Sequence, residues 1–302
     1  MAKQYRRLIE RYQVAPGSRI RLRDLDPADN GGPEFASVGP DRVKERAAAF
    51  LEANRAELAR AQELLWASDT HAVLVVLQAM DAAGKDGIVK HVMSGVNPQG
   101  CEVHAFKRPS PVELKHNFLW RYWLAVPERG RIGIFNRSYY EDVLIAKVHP
   151  QLLAAERLPA PGRRGALWAG RYDDINRFER HLARNGTVIV KFFLNVSKAE
   201  QKRRLLQRIA EPEKHWKFSL ADLEERAYWR EYMGAYQDLL RATSTAWAPW
   251  YVIPADHKYV ARALVAAILS STIGALGLRY PRLTRAQLRQ LGAARRRLFG
   301  GG

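Results

Sequence analysis

With one cysteine, Cys101, in 302 residues, the chain has no internal disulfide to form, and it fits a reducing compartment. No apolar run approaches the roughly 20 residues that span a bilayer. The basic start, Met1 to Arg7, leads into no apolar segment of the signal-peptide kind. A cytoplasmic protein without a membrane partner is therefore expected. Glycine and proline, 21 and 15, are too few for a fibrous repeat or a disordered chain. Acid is scarce as well: 31 Asp and Glu face 49 Lys and Arg, a net charge of +18. Such an excess captures polyanions, and nucleic acid, anionic membrane and polyphosphate all suit it. So does a generic basic surface with no specific partner.

What is present alternates strands with helices. Residues 71–78 hold a short, continuous apolar run rich in valine, the mark of a strand buried on both faces. Residues 101–106, 131–135, 187–194 and 250–254 read as further strands. Helices are expected over 41–66, 111–123, 198–209, 219–241 and 260–276, with 175–184 on another. Ser219 is the expected N-cap of its helix, with Asp222 as capping-box partner. This pattern predicts an α/β fold, a mostly parallel sheet covered on both faces. Residues 1–40, rich in Pro and Gly, read as an irregular arm with no core of its own. The main domain is expected over 41–280, and an Arg-rich, loosely ordered tail over 281–302.

The first strand runs into Ala79-Met80-Asp81-Ala82-Ala83-Gly84-Lys85-Asp86-Gly87. A strand, a tight small-residue loop with Gly-Lys and then a helix is the Walker A context, in which backbone N–H groups wrap a phosphate. Ala82, Ala83, Gly84, Asp86 and Gly87 are the loop positions expected against phosphate. Lys85 is expected to supply charge and little packing. The match departs from the strict pattern at Ala79, where Gly is usual, and at Asp86, where Ser or Thr holds Mg²⁺. Asp81 is then the obvious metal carboxylate; its bland role is a loop-stiffening turn. The third strand ends in Asn136-Arg137-Ser138-Tyr139-Tyr140-Glu141-Asp142. Asn136 stands where a Walker B acid belongs, Glu141 and Asp142 restore negative charge, and Arg137 can stabilise a transferring phosphoryl group. Residues 198–217 carry Arg204 and Arg208 on one helix face, then Lys217. They read either as a basic lid, about 198–230, or as a solvated helix face.

These blocks, with Val96-Asn97-Pro98, Phe118-Leu119-Trp120-Arg121, Lys191-Phe192-Phe193-Leu194, Trp216-Lys217-Phe218-Ser219 and Ala248 to Pro254, resemble the second family of polyphosphate kinases over about residues 10–280. The resemblance implies a P-loop kinase-like three-layer α/β/α fold with a helical lid. It also implies reversible transfer of the terminal phosphoryl group of polyphosphate, with Mg²⁺ or Mn²⁺. Asn136 with Glu141-Asp142 looks like the class that accepts both AMP and ADP. The implied catalytic residues are Asp81, Lys85, Asn136, Arg137 and Arg208, with Asp81 and Glu141 on the metal. Arg121, Arg204 and Lys217, together with Lys107 and Arg108, are implied to bind phosphates. Inorganic polyphosphate and adenine or guanine nucleotides are the expected partners, nucleic acid is not, and a homo-oligomer, dimer or tetramer, is expected. Two rivals share the features: an ATP-dependent small-molecule kinase, and a polyanion-binding protein with an inactive loop.

Overall fold

All seven residues of Ala72–Gln78 (β1) are buried, as a continuous apolar run requires of a strand covered on both faces. In the computed structural model, which describes residues 5–32, 35, 39, 42–156, 158 and 164–300, this strand is the centre of a five-stranded sheet. The others are β2 (Cys101–Ala105), β3 (Ile132–Asn136), β4 (Thr187–Asn195) and β5 (Trp250–Pro254). The order is β2-β3-β1-β4-β5 and every neighbouring pair is parallel. Leu77 lies beside both Asn136 and Phe192, so β1 and β3 end nearly level, while β4 runs on to Asn195 beside β5. The chain builds one edge from β1, then returns past it to build the other. That reversal opens a crevice at the carboxyl end of β1, where open α/β sheets bind ligands.

The helices α1 (Arg6–Tyr12), α2 (Val43–Ser68), α3 (Lys85–Val92) and α10 (Lys258–Gly274) pack together, with α10 central among them. A separate group, α5 (Glu141–Val148), α6 (Arg164–Arg184) and α9 (Trp229–Thr243), packs with β4. Short α4 (Trp120–Trp123) precedes β3, α7 (Lys198–Ala210) and α8 (Leu220–Ala227) follow β4, and α11 (Arg285–Gly300) ends the chain.

The five strands form where the apolar runs place them; several helical expectations do not hold. The arm contains α1, whose Leu8 and Tyr12 are buried one turn apart. It also runs along β5: Gln13 bridges Tyr251, and Val14 N–H donates to Trp250 O at 2.8 Å. Leu8, Tyr12, Val14, Leu22 and Phe35 join the domain core, so the arm covers what would be an open sheet edge. Positions 1–4, 33–34, 36–38 and 40 of the arm, and 41 at the expected start of α2, lie outside the described residues. The helix expected over 111–123 is two short pieces, Glu113–Lys115 and Trp120–Trp123. Between them the Asn117 side chain accepts from Leu119 N–H at 3.0 Å, a local turn that competes with helix. The helix expected over 219–241 breaks at Tyr228, because its halves answer to different partners. In the first, Arg226 donates to Lys198 O and to Gln201 on α7; the second packs on α5 and α6. Ser219 caps α8 by accepting from Ala221 N–H, while Asp222 turns away to Arg208, so no capping box forms. Residues 285–300 of the tail are helical, opened by Thr284 and Gln287, each accepting the other's backbone N–H.

Candidate active site

The loop after β1 takes its shape from two left-handed residues, Ala82 at φ 61° and Gly84 at φ 117°. A side chain with a Cβ pays for that conformation, and surrounding contacts must enforce it. Here they do. Lys85 Nζ donates to Ala79 O at 2.8 Å and reaches Met80 O at 3.5 Å. Gln201 Nε2 donates to Asp81 O at 3.0 Å, and Arg204 Nη1 to Ala82 O at 3.1 Å and Ala83 O at 2.6 Å. Every carbonyl from Ala79 to Ala83 thus meets a side-chain donor. The negative ends of the loop are compensated, and they do not oppose an anion at the N-terminus of α3.

Lys85 opens α3 and is buried. It is therefore a packing residue as well as a charge, contrary to its expected placement on an open loop. Burial lowers its pKa, and the neighbouring Arg137 lowers it further, with Asp81 and Glu141 opposing.

The end of β3 faces this loop across the crevice. Asn136 Nδ2 donates to Asp86 Oδ1 at 2.9 Å. The two departures from the strict motifs are thus partners: an amide at 136 can donate to a carboxylate at 86, whereas a second carboxylate would repel it. Arg137 sits at φ 65°, a strained backbone for a non-glycine residue. Its Nη2 reaches Asp81 Oδ1 at 2.6 Å and its Nη1 reaches Glu141 Oε2 at 3.4 Å. Glu141 first, and Asp81 after it, raise its pKa against the cost of burial. Asp142 does not face the crevice. It accepts from Tyr122 OH at 2.9 Å, and burial pushes it up to about 7.

Behind this turn, Lys191 of β4 is wholly buried. It donates to Glu179 Oε2 at 2.7 Å, Tyr140 OH at 2.8 Å and Thr243 O at 2.7 Å. Tyr139 and Tyr140 hydroxyls both donate to Glu179 Oε1. A satisfied buried network of this kind fixes the segment that carries Arg137 and Glu141.

A cavity of about 610 Å³ occupies the crevice, lined by residues 81–88, 136 and 137, and by cations on both sides. Lys107 and Arg108 stand on the β2 side; Lys258 and Arg262 stand on α10 beyond β5. Arg208 and Lys217 close it from above. Arg208 Nη1 donates to Asp222 Oδ2 at 3.0 Å, and Lys217 Nζ lies 3.8 Å from Asp86. Arg204 touches the cavity, but its guanidinium is committed to the loop, to Glu200 and to the carbonyls of Ala255 and Asp256. Arg121 does not line the cavity. It donates to Lys107 O and Tyr122 OH and lies over the Phe106 and Tyr122 rings. Sequence reading missed Gln201, Asp222, Lys258 and Arg262. The last two carried a signal: a basic pair four residues apart, opening the helix that follows the last strand.

No helix among the described residues is long and apolar enough to cross a membrane. The sequence model of polyphosphate kinase 2 matches residues 42–277. The chain is 52% identical over 257 residues to an ADP-polyphosphate phosphotransferase of Rhodopseudomonas palustris, covering 85% of this chain and 89% of that one. It is 45% identical over 273 residues to an AMP/ADP-polyphosphate phosphotransferase of Meiothermus ruber, covering 90% and 96%. The crystal structure of polyphosphate kinase 2 from Arthrobacter aurescens superposes with a TM-score of 0.83 at 42% identity, covering 95% of this chain and 96% of that one. The chain belongs to the polyphosphate kinase 2 family.

Proposed function

We propose that this chain transfers the terminal phosphoryl group of inorganic polyphosphate to nucleoside mono- and diphosphates, making ADP from AMP and ATP from ADP, reversibly. The observation that carries the reading is the convergence of Lys85, Arg137 and Arg208 on one crevice between two cationic walls. Donor and acceptor are both anions, so their approach is opposed by charge. Phosphoryl transfer asks the protein for alignment and neutralisation and needs no covalent intermediate. Lys85 and the α3 N-terminus bind the phosphate being transferred. Arg137 and Arg208 meet the charge that spreads over it in the transition state.

The two walls divide the substrates. Lys258 and Arg262 suit the bare polyanion. The β2 side, where Arg137 stands between Asp81 and Glu141, suits an adenine or guanine nucleotide with its metal. Residues 198–230, with Arg208 and Lys217 over the cavity, act as a lid that closes and excludes water. Asp81 and Glu141 fit Mg²⁺ or Mn²⁺, since a hard cation at a phosphate site needs one or two carboxylates plus substrate oxygens. Among the described residues no group of three or more His, Cys, Asp or Glu could hold a metal ion by itself. When bound, the cation supplies positive charge between the phosphates. Asn136, donating to Asp86, leaves the acceptor side one carboxylate poorer, and Glu141 returns one from α5; this supports acceptors of two lengths. Polyphosphate binding by such walls weakens with salt. The working unit is a homo-oligomer, dimer or tetramer.

The test is purified protein with Mg²⁺, polyphosphate and AMP, without ATP, followed by nucleotide chromatography. ADP and then ATP are expected. ADP formed only when ATP is supplied favours the ATP-dependent kinase, and no transfer to AMP or ADP at any salt concentration leaves a polyanion-binding protein.

A further inference from the structure

A strongly basic stretch of the chain stands away from the crevice. Residues 279–302 hold seven arginines and no Asp, Glu or Lys, and so supply seven of the net +18 charges. Leu278 is still packed against the domain core, but every residue from Arg279 to Leu291, and again from Ala294 to Phe299, is exposed. Within this stretch α11 forms on its own signals. Thr284 and Gln287 cap its start, and alanine, leucine, glutamine and arginine, all good helix formers, fill most of it.

The helix is two-sided. At about 100° per residue, Leu288, Leu291, Leu298 and Phe299 fall within an arc of about 100°. Arg285, Arg289 and Arg296 fall within about 40° of one another, beside that arc. Leu288 and Leu291 are each 55% exposed, Leu298 84% and Phe299 82%, so the described chain leaves the apolar side uncovered. Arg295 projects from this side, and its guanidinium lies over the Phe299 ring, 5.7 Å from the centroid. A stem laid along apolar surface, with its charge turned toward water, is how arginine behaves at an interface.

We infer that α11 lies flat on a bilayer that carries anionic phospholipid, its leucines and Phe299 among the acyl chains and its arginines at the depth of the headgroup phosphates. Both sides of the helix select this occupant. Free polyphosphate or nucleic acid would satisfy the arginines and leave four large apolar side chains in water. An apolar protein groove would take the leucines, but seven arginines without one acid call for a surface that is itself anionic. An anionic headgroup layer over an acyl interior meets both. The expectation of no membrane partner rested on the lack of a spanning segment, and a helix in the interface needs none. At 16 residues α11 is shorter than a span and needs only its one apolar side. None of the residues lining the crevice lies beyond Arg262, so the helix docks without disturbing the site.

Flotation of the full chain with phospholipid vesicles tests it, at about 0.15 M salt so that diffuse attraction is screened. The wild-type chain should float with vesicles containing phosphatidylserine and stay behind with vesicles of phosphatidylcholine alone. Leu288→Ser, Leu291→Ser, Leu298→Ser and Phe299→Ser together keep every charge. They should weaken the binding by roughly tenfold or more and leave the melting temperature unchanged. A wild-type chain that ignores phosphatidylserine overturns the inference. So does a serine variant that floats as well as the wild type, because charge alone then suffices and the basic surface as a whole supplies it. A serine variant that instead sediments at a lower mass gives the apolar side to a second copy, which also overturns it. Should that variant not fold, an environment-sensitive fluorophore on Leu288→Cys, in a Cys101→Ser background, still decides. Its emission should shift to the blue with phosphatidylserine vesicles, while the same label on Gln290→Cys, on the polar side, should not shift. Equal shifts at the two positions, or none, overturn the flat placement. A shift at position 288 with polyphosphate alone makes the helix a polyphosphate tether and overturns the membrane assignment.

Discussion

Arg204 and Arg208 lie one turn apart on α7, with 4% and 22% of their side chains exposed. Their sequence surroundings are alike, both in a basic run on one helix face. Arg204 spends its donors inward, on Glu200 through Nε, on Ala82 and Ala83 through Nη1, and on Ala255 and Asp256 through Nη2. Arg208 is held through Nη1 alone among the described residues, by Asp222 and by Lys217 O at 3.4 Å. A guanidinium taken out of water must have its donors satisfied, and the exposed carbonyls of a phosphate loop satisfy them well. One turn farther on, the helix has passed the loop, and the same residue type faces the cavity. A shared helix face therefore does not imply a shared role. On the reading above, Arg204 positions the loop and Arg208 addresses the substrate.

Substitutions at three residues test that division, in falling order of expected effect on turnover. Lys85→Ala removes the charge from the loop that Arg204 braces and Arg208 faces. Turnover should fall by roughly 10³-fold or more, the scale set by losing a central electrostatic donor. Because Lys85 is buried against the loop carbonyls, the melting temperature should fall too. Wild-type turnover in this variant would remove the loop from the mechanism. Arg204→Ala comes next. It strips donors from buried carbonyls at about 1–3 kcal/mol each, so thermal unfolding should show a loss of about 3 kcal/mol together with a steep drop in kcat. Arg204→Lys keeps the charge but cannot span three groups, and it should recover little of either. An unchanged melting curve for Arg204→Ala would mean that the brace contributes nothing. Arg208→Ala should lower kcat about 10²-fold while stability stays within about 0.5 kcal/mol, the range for an outward-facing residue. If the two arginines exchange phenotypes, with Arg208 the costly one for stability, the assignment is one turn off.

The strands were legible because each is an apolar run whose composition suits burial on both faces, and Gly84-Lys85 after β1 located the crevice. Arg137 and Glu141 were legible for the same reason, since they follow a strand end. Other features were not. The brace by Gln201 and Arg204 depends on how α7 crosses the loop about 120 residues upstream, and periodicity carries no information about crossings. Arg121 looked like a phosphate ligand because charge is visible in a sequence and stacking on Phe106 is not. The break at Tyr228 follows from two packing partners pulling one helical pattern apart. By contrast, the helix at 285–300 announces itself through Thr284-Arg285-Ala286-Gln287, a capping signature that the surrounding arginines obscured.

The smallest effect separates the acids that hold the two arginines. Glu200, beside Arg204, is pushed up by burial, but its hydrogen bonds to Arg203 and Arg204 outweigh this and leave its pKa below the ordinary value. Asp222, beside Arg208, moves the other way: burial first and the nearby Asp81 second raise it, and Arg208, Arg137 and Lys85 do not fully compensate. The signs give different consequences on acidification. The depressed Glu200 contributes stability that is present above the usual carboxylate range and is lost only as pH falls through its lower folded value. Ionised Asp222 costs the fold, so protonation through its raised value does not lower stability; it removes the charge that tethers Arg208. As pH falls toward the carboxylate range, residues 198–230 should loosen first, with no drop in melting temperature from this group, while residues 79–87 stay protected. Hydrogen–deuterium exchange of the two segments, corrected for the intrinsic pH dependence of exchange, measures this. Asp222→Asn should abolish the lid's pH step, and Glu200→Gln should instead loosen the loop at neutral pH. If both segments loosen together in the wild-type chain, or the loop goes first, the two arginines are not independently held.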